Sequence, residues 1–85
     1  MDINTIIKHP LSTEKSLRLM ESENKLIFVV QRQAKKDEIK KAIELMFKAK
    51  VVNVNTLIKG NEKRAYVTFS NETPAMDIAT NLGLM

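Results

Sequence analysis

The hydrophobic pattern in the middle of the chain changes period twice, and this limits the fold more than any other feature. The run Lys25–Gln31 holds five consecutive apolar residues, which is typical of a buried central strand. From Lys35 to Lys48 the apolar residues recur at helical spacing, and Val51–Ile58 returns to the composition of a strand. After the short connection Lys59–Lys63, residues 64–69 predict a strand that pairs back as a hairpin.

A shorter helix is predicted before the first strand. The N-terminal segment is expected to be a loop through His9-Pro10, because a residue before proline is biased away from helix. Ser12 or Thr13 can then cap a helix that runs to about Met20. Residues 21–24 are polar and predict a turn that leads into the strand.

A second amphipathic helix is predicted near the other end of the chain. Pro74 follows Thr73 at a plausible first helical position, the apolar spacing continues to Leu82, and Gly83 stops the helix. The complete order predicts an α+β fold. We expect a small antiparallel sheet with helices packed on one face, in a ferredoxin-like or split β-α-β arrangement.

Strand alternation divides this sheet into two faces. The core face is predicted to hold Leu26, Phe28, Val30, Val52, Val54, Thr56, Ile58, Ala65, Val67 and Phe69, under the helix residues Leu17, Met20, Ile39, Ala42, Ile43, Met46 and Phe47. The opposite face is predicted to hold Ile27, Val29, Val51, Asn53, Asn55, Leu57, Tyr66 and Thr68. Asparagine is depleted in strands, so the two asparagines indicate a polar partner. This mixed face is either a docking surface or is covered by the N-terminal segment.

The composition predicts one globular domain, residues 1–85. Hydrophobic residues make up 44% of the chain and charged residues 28%, values that do not fit a disordered polypeptide. No apolar run approaches the roughly 20 residues that span a bilayer, and the N-terminus does not resemble a signal peptide. We therefore expect a cytoplasmic protein without membrane insertion. The absence of cysteine excludes disulfides and thiolate metal sites.

Basic residues are concentrated in the middle of the chain. The formal net charge is +4, and residues 34–50 carry six cations and three anions. The pairs Lys35-Lys36 and Lys40-Lys41 place cations on both flanks of the predicted helix, where they can contact phosphates as point charges. The alternative is an ordinary solvated face, because the three acidic residues halve the local charge.

Motifs for enzymatic chemistry and nucleotide binding are missing from the sequence. His9 is the single histidine and is expected to form hydrogen bonds or to stack, and Thr13-Glu14-Lys15 is expected to begin a helix rather than to form an acid–base pair. Gly60 and Gly83 are the only glycines, too few for a loop that cradles phosphates. Tyr66 is the only aromatic residue predicted on the open face, which disfavours a sheet that stacks bases. We expect no enzyme activity, no metal and no cofactor.

Four segments, taken in order, resemble one ribosomal protein family. His9–Ser16 reads His-Pro-Leu-Ser-Thr-Glu-Lys-Ser, and the strand Lys25–Val30 is followed by the lysine-rich helix Ala34–Glu44 and by Val51–Leu57, which reads Val-Val-Asn-Val-Asn-Thr-Leu. This arrangement is similar to the universal large-subunit ribosomal protein family twenty-three over nearly the whole chain. Bacterial members carry a long basic hairpin where Lys59–Lys63 is short, so the chain resembles the archaeal branch.

The resemblance implies a structural constituent of the large ribosomal subunit that binds large-subunit ribosomal RNA near the polypeptide exit tunnel. It further implies contact with a neighbouring large-subunit protein of family twenty-nine, and a docking surface for nascent-chain chaperones, the signal recognition particle and the secretion channel. Glu14 matches the glutamate associated with factor docking in bacterial relatives. The RNA-contacting pattern falls on Ser12, Thr13, Lys15, Lys35, Lys36, Asn53, Asn55, Thr56, Lys59, Lys63 and Arg64, and the charge pattern adds Lys40.

Two other functions remain open from the residues alone. The first is a free-standing adaptor whose sheet edge or open face binds another protein without RNA. The second is a small ferredoxin-like hydrolase, such as an acyl-phosphate-cleaving enzyme. That enzyme would need an arginine in an anion-cradling loop, and the sequence has no glycine-rich loop that contains one.

Overall fold

A computed structural model describes residues 6–11 and 13–81, which form a four-stranded antiparallel sheet and three helices. In chain order the elements are β1 (Ile7–Pro10), α1 (Glu14–Glu23), β2 (Lys25–Val30), α2 (Lys36–Phe47), β3 (Val51–Lys59), β4 (Glu62–Phe69) and α3 (Ala75–Asn81). The strand order in the sheet is β1-β2-β4-β3. Strands β2 and β3 both run antiparallel to β4, so they are parallel to each other with β4 between them and α2 as their connection. This is a split β-α-β arrangement, and it confirms the predicted α+β fold.

The core lies between one face of the sheet and the helices. The residues predicted for it from β2 and β4 are all buried there, namely Leu26, Phe28, Val30, Ala65, Val67 and Phe69. Helix α2 contributes Ile39 and Ile43, and the ring of Phe47 stacks on that of Phe28 with centroids 6.0 Å apart. Met46 was predicted for the same stripe but is 43% exposed. The buried stripe consists of Ile39, Ala42 and Ile43 and continues to the half-buried Phe47, so it does not extend to position 46.

The N-terminal segment forms an edge strand instead of the predicted loop. His9 pairs with Val29 and Pro10 with Phe28, so β1 adds a fourth strand beside β2. A strand this short, with lysine, histidine and proline, carries almost no strand propensity of its own, and pairing with β2 supplies its stability. Proline has no N–H to donate, and it is tolerated here because β1 lies at the edge of the sheet.

Helix α1 is longer than predicted. Thr13 caps it as expected: its Oγ1 accepts a hydrogen bond from the Ser16 N–H at 3.2 Å, and the Ser16 hydroxyl oxygen accepts one from the Thr13 N–H at 2.9 Å. The predicted buried contacts hold, since Met20 is buried and Leu17 packs against the core. The helix continues to Glu23, so the predicted turn at residues 21–24 is wrong except for its last residue. These polar residues form an exposed helix face, which their composition does not distinguish from a turn.

Asn24 ends α1 and joins three elements. It adopts a left-handed conformation with φ of 56°. Its Nδ2 lies 3.0 Å from the carbonyl oxygens of Phe69 and Ser70 and 3.2 Å from that of Thr73. Its Oδ1 accepts a hydrogen bond of 2.6 Å from the Ala75 N–H, the first residue of α3. One side chain therefore holds together the end of α1, the end of β4 and the start of α3.

A β-bulge in β3 changes which residues face the core. The register with β4 is interrupted between Val51 and Asn53, so Val52 is an extra residue. Val51 is consequently buried and Val52 is 64% exposed. The faces predicted for these two valines are wrong, because strict alternation does not allow for an inserted residue. From Asn53 to Leu57 the alternation holds, and Ile58 shares the core face but is exposed because it lies next to the hairpin turn.

The opposite face of the sheet contains the residues predicted for it on β2 and β4. Ile27 pairs with Tyr66, and Val29 pairs with Arg64 on one side and with His9 on the other. Ile27 and Val29 are only 3% and 2% exposed, although they lie outside the core cluster. Ile27 and Val29 therefore form a second, smaller apolar centre on this face, with Tyr66, Arg64 and His9 beside them.

The β3-β4 hairpin turns in two residues, Gly60 and Asn61. The connection is shorter than the predicted Lys59–Lys63, because Lys59 and Glu62 pair as the last residues of their strands. Gly60 has a φ of +64°, the positive value that the first position of a type II′ turn requires. A tight turn of this kind keeps both strands in register up to the tip.

Helix α3 begins at Ala75, one residue after Pro74, the predicted first helical position. The predicted contact at Leu82 and the predicted stop at Gly83 lie outside the described residues. None of the helices in residues 6–11 and 13–81 is long and apolar enough to cross a membrane.

Candidate nucleic-acid interface

An open groove of about 180 Å³ lies between the first turns of α2 and the bulged part of β3. Lys36 and Lys40 are one helical turn apart, so both project from the same side of α2. The bulge turns Val52 outward beside Asn53. The groove is lined by Lys36, Asp37, Lys40, Val52, Asn53 and Val54. The structure thus brings together three of the residues predicted to contact RNA, Lys36, Lys40 and Asn53.

The acidic residues of α2 leave the groove lysines without ion-pair partners. Glu38 Oε1 accepts a hydrogen bond of 3.1 Å from the Lys35 N–H, and Glu44 Oε2 accepts one of 3.4 Å from the Val51 N–H. Asp37 lies in the groove itself. Among the described residues, the ion pairs within 4 Å involve neither groove lysine. Both ammonium groups are therefore available to an anionic ligand.

The polar residues of β3 point in two directions. Asn53 and Asn55 are exposed on the open side of the sheet. The Oδ1 of Asn53 accepts a hydrogen bond of 2.9 Å from the Val54 N–H, and its Nδ2 donates to no other residue in the described part of the chain. Thr56 pairs with Ala65 on the core side and is half-buried, so it does not share a surface with the asparagines.

The hairpin cations already have partners within the protein. Lys63 Nζ donates a hydrogen bond of 2.6 Å to the carbonyl oxygen of Ala34, just before α2. Arg64 Nε lies 3.0 Å from Glu62 Oε2, and its side chain is 27% exposed. Lys59 is exposed at the end of β3. Of the three cations predicted here, two are therefore committed to contacts that hold the hairpin.

The predicted residues of α1 lie apart from the groove. Lys15 and Glu14 are exposed in the first turn, and the Thr13 hydroxyl is used by the helix cap. Helix α1 packs against β2, which β4 separates from β3. Ser12 lies outside the described residues. The predicted set is consequently divided among the groove, the hairpin and the start of α1.

Three groove residues, Asp37, Val52 and Val54, were not predicted as site residues. The outward position of Val52 depends on the bulge, which has no local sequence signature. Asp37 precedes Lys40 by three residues, and this helical spacing already placed both on one side of α2. Within residues 6–11 and 13–81, no group of three or more histidine, aspartate or glutamate side chains is placed to hold a metal ion.

Comparison with known proteins identifies the family. A family model described as ribosomal protein L23 matches residues 5–79. The chain belongs to the ribosomal protein L23 family. The match extends from before β1 into α3, so it covers the groove, the hairpin and the start of α1. The resemblance seen in the sequence is confirmed.

Relatives in the L23 family are similar to this chain over nearly its full length. The large ribosomal subunit protein uL23 of Methanococcus vannielii is 44% identical over 86 residues, which cover 99% of each chain. The proteins of the same name from Methanococcus maripaludis strains C7 and S2 are 43% and 42% identical, with the same coverage. Members of the L23 family are structural rather than enzymatic, so the prediction that the chain is not an enzyme is confirmed and the hydrolase is excluded.

Proposed function

We propose that this protein is a structural constituent of the large ribosomal subunit that binds large-subunit ribosomal RNA near the polypeptide exit tunnel. Membership of the L23 family makes it a large-subunit ribosomal protein with a role in translation. The observation that carries the RNA-binding proposal is the groove, in which two lysines that form no ion pair with any described residue lie beside the amide donor of Asn53. The domain acts in the cytoplasm as part of the ribosome.

Binding at the groove would combine an electrostatic contribution from the lysines with a directional hydrogen bond from the asparagine. Lys36 and Lys40 would displace counterions from RNA phosphates as point charges, a contribution that weakens as salt increases. The Nδ2 of Asn53 would donate to a ribose hydroxyl or a phosphate oxygen and so fix the register of the RNA. Contacts of this kind recognise the shape of a folded RNA more than its sequence.

The other predicted residues would extend this surface to different degrees. Lys35 is exposed at the N-cap of α2, Asn55 in the middle of β3 and Lys59 at the end of β3. Ser12, Thr13, Lys15 and Thr56 would make separate or weaker contacts. Lys63 and Arg64 would act mainly by holding the hairpin in place, because each already makes a hydrogen bond within the protein.

The protein partners are proposed for surfaces away from the groove. Glu14 is exposed in the first turn of α1, which packs against β2, and β4 separates β2 from β3. Occupation of the groove by RNA would leave this region accessible. We assign to it the docking of nascent-chain chaperones, the signal recognition particle or the secretion channel, with the family twenty-nine protein as a neighbour.

A lysine substitution with a matched control tests the RNA proposal. Lys36→Ala should weaken binding to large-subunit RNA and reduce the slope of log affinity against log salt by about one unit, because one phosphate contact is lost. Filter binding at a series of salt concentrations measures both quantities. Lys41→Ala removes the same charge from an exposed position of α2 that does not line the groove, and it should change the slope much less.

The outcomes separate the proposal from the adaptor function. Equal slopes for the two variants would mean that the groove is not the RNA contact. Failure of the unmodified protein to bind large-subunit RNA at low salt would favour an adaptor that acts without RNA.

A further inference from the structure

We infer that the groove between α2 and β3 holds a single unpaired guanine of the large-subunit RNA. In this arrangement the base lies against Val52, its Watson–Crick edge meets the Asp37 carboxylate, and the flanking phosphates meet Lys36 and Lys40. The inference rests on the proposed RNA-binding function and specifies which feature of the RNA the groove accepts.

The size of the groove fits one base. Its volume is about 180 Å³, and it is open to solvent, so a single flat heterocycle can enter it. Proteins that bind folded RNA in a localised way commonly do so at loops and bulges, where an unstacked base can be splayed out into the protein.

Val52 supplies an apolar wall in an otherwise polar groove. The bulge leaves this valine 64% exposed, next to lysines and an asparagine. An exposed β-branched side chain in such surroundings gains stability when a ligand removes it from water. The face of a nucleobase is apolar, and flipped bases are held in pockets by contact with apolar or aromatic side chains.

The hydrogen-bonding groups of the groove select the base. The two lysines are donors only, and Asn53 offers its Nδ2 as a donor while its Oδ1 already accepts one hydrogen bond from the Val54 N–H. Asp37 is the one carboxylate in the groove, and no described cation lies within 4 Å of it. Among the side chains that line the groove, Asp37 is therefore the one charged acceptor, with two oxygens, beside several donors.

Guanine is the base that matches this arrangement. Its Watson–Crick edge presents two adjacent donors, N1–H and N2–H, which a carboxylate can accept together. Its O6 and N7 atoms are acceptors that suit lysine or amide donors. Adenine and cytosine place an amino group beside a ring nitrogen with a lone pair, which would face the second carboxylate oxygen unfavourably, and uracil offers one donor.

The substitution Asp37→Asn tests the inference because two explanations predict opposite changes in the affinity for large-subunit RNA. If the groove attracts RNA only by charge, loss of a negative charge should strengthen binding to large-subunit RNA. If Asp37 accepts two hydrogen bonds from guanine, the same substitution should weaken binding about tenfold at constant salt, as expected for loss of a bidentate contact to a base. Glu21→Gln is the matched control, since it makes the same change in charge at an exposed site on α1.

Chemical probing of the RNA gives a second measurement. Kethoxal modifies the N1 and N2 atoms of unpaired guanines, so one reactive guanine should be protected by the unmodified protein and by Glu21→Gln. That protection should be lost with Asp37→Asn at a concentration that still saturates the RNA. Thermal unfolding of both variants verifies that the exposed substitutions leave the fold intact.

The results distinguish this inference from the function on which it rests. Absence of binding by the unmodified protein would overturn the RNA-binding function itself. Normal binding by the unmodified protein, with equal or tighter binding by Asp37→Asn and no guanine whose protection depends on Asp37, would overturn the guanine site and leave RNA binding in place.

Discussion

Asn24 illustrates how a single polar residue can determine the arrangement of several elements. Its side chain bonds to groups between 45 and 51 residues further along the chain. Buried or half-buried amides are costly unless their donors and acceptors are satisfied, and here the amide satisfies main-chain groups at the ends of β4 and α3. The residue also adopts the left-handed conformation that ends α1, which asparagine tolerates better than other non-glycine residues.

Replacement of Asn24 should therefore destabilise the fold without touching the groove. We expect Asn24→Ala to lower the free energy of unfolding by about 3 kcal/mol, because the hydrogen bonds are lost and alanine is strained at positive φ. Chemical denaturation followed by circular dichroism measures this change. Asn24→Gly relieves the backbone strain alone and should recover about 1 kcal/mol. Wild-type stability of the alanine variant would contradict a joining role for Asn24.

At the scale of elements, the β3-β4 hairpin depends on backbone conformation at its tip. A Cβ atom at Gly60 would meet no atom within 4 Å, so a substitution there is not limited by space. The positive φ remains, and it disfavours any residue with a side chain. The requirement for glycine at this position is therefore conformational.

We predict that Gly60→Ala lowers the free energy of unfolding by about 1 kcal/mol, through the backbone alone. Gly60→Asn should be milder, since asparagine tolerates left-handed conformations. Equilibrium denaturation of the three proteins provides the comparison. Equal losses for alanine and asparagine would indicate that a contact, not the value of φ, is responsible.

The elements with strong internal patterns could be predicted from the sequence, and those that depend on distant partners could not. The apolar residues of β2 and β4 and the helical spacing in α2 are enough to predict these elements from their own sequence. Strand β1 forms only because β2 offers it a free edge, and the bulge at Val52 arises from pairing between β3 and β4. The lysine pair of the groove followed from helical spacing, but the partner of Lys63 lies 29 residues away and has no local signature.

At the scale of the whole molecule, the basic residues belong to two different classes. The groove lysines have no ion-pair partner among the described residues, whereas Lys63 is bonded internally at the junction of the hairpin and α2. The net charge of +4 therefore does not show how many cations are available to RNA. Fewer are available at the hairpin than its composition suggests, and the available ones are concentrated beside α2. Attraction to RNA depends on where the free cations lie.

The rates at which individual lysines are acetylated should distinguish the groove lysines from the internally bonded Lys63. With limiting acetylating reagent, Lys36, Lys40 and Lys41 should react in the free protein, while Lys63 should react slowly because its Nζ donates to a carbonyl oxygen. Binding of large-subunit RNA should protect the groove lysines and leave Lys41 reactive. Mass spectrometry of the digested protein measures each site. Rapid acetylation of Lys63 in the free protein would contradict its internal hydrogen bond.

The two-residue turn also makes the hairpin tip the point at which this fold can most readily gain chain length. Strands β3 and β4 end together there, and the tip residues are exposed. Residues inserted between Gly60 and Asn61 would extend away from the sheet, and each doubling of a flexible loop adds only about 0.6 kcal/mol of closure entropy. An arm of considerable length can therefore be gained or lost at this point without repacking the core, so the reach of the molecule can change independently of its stability.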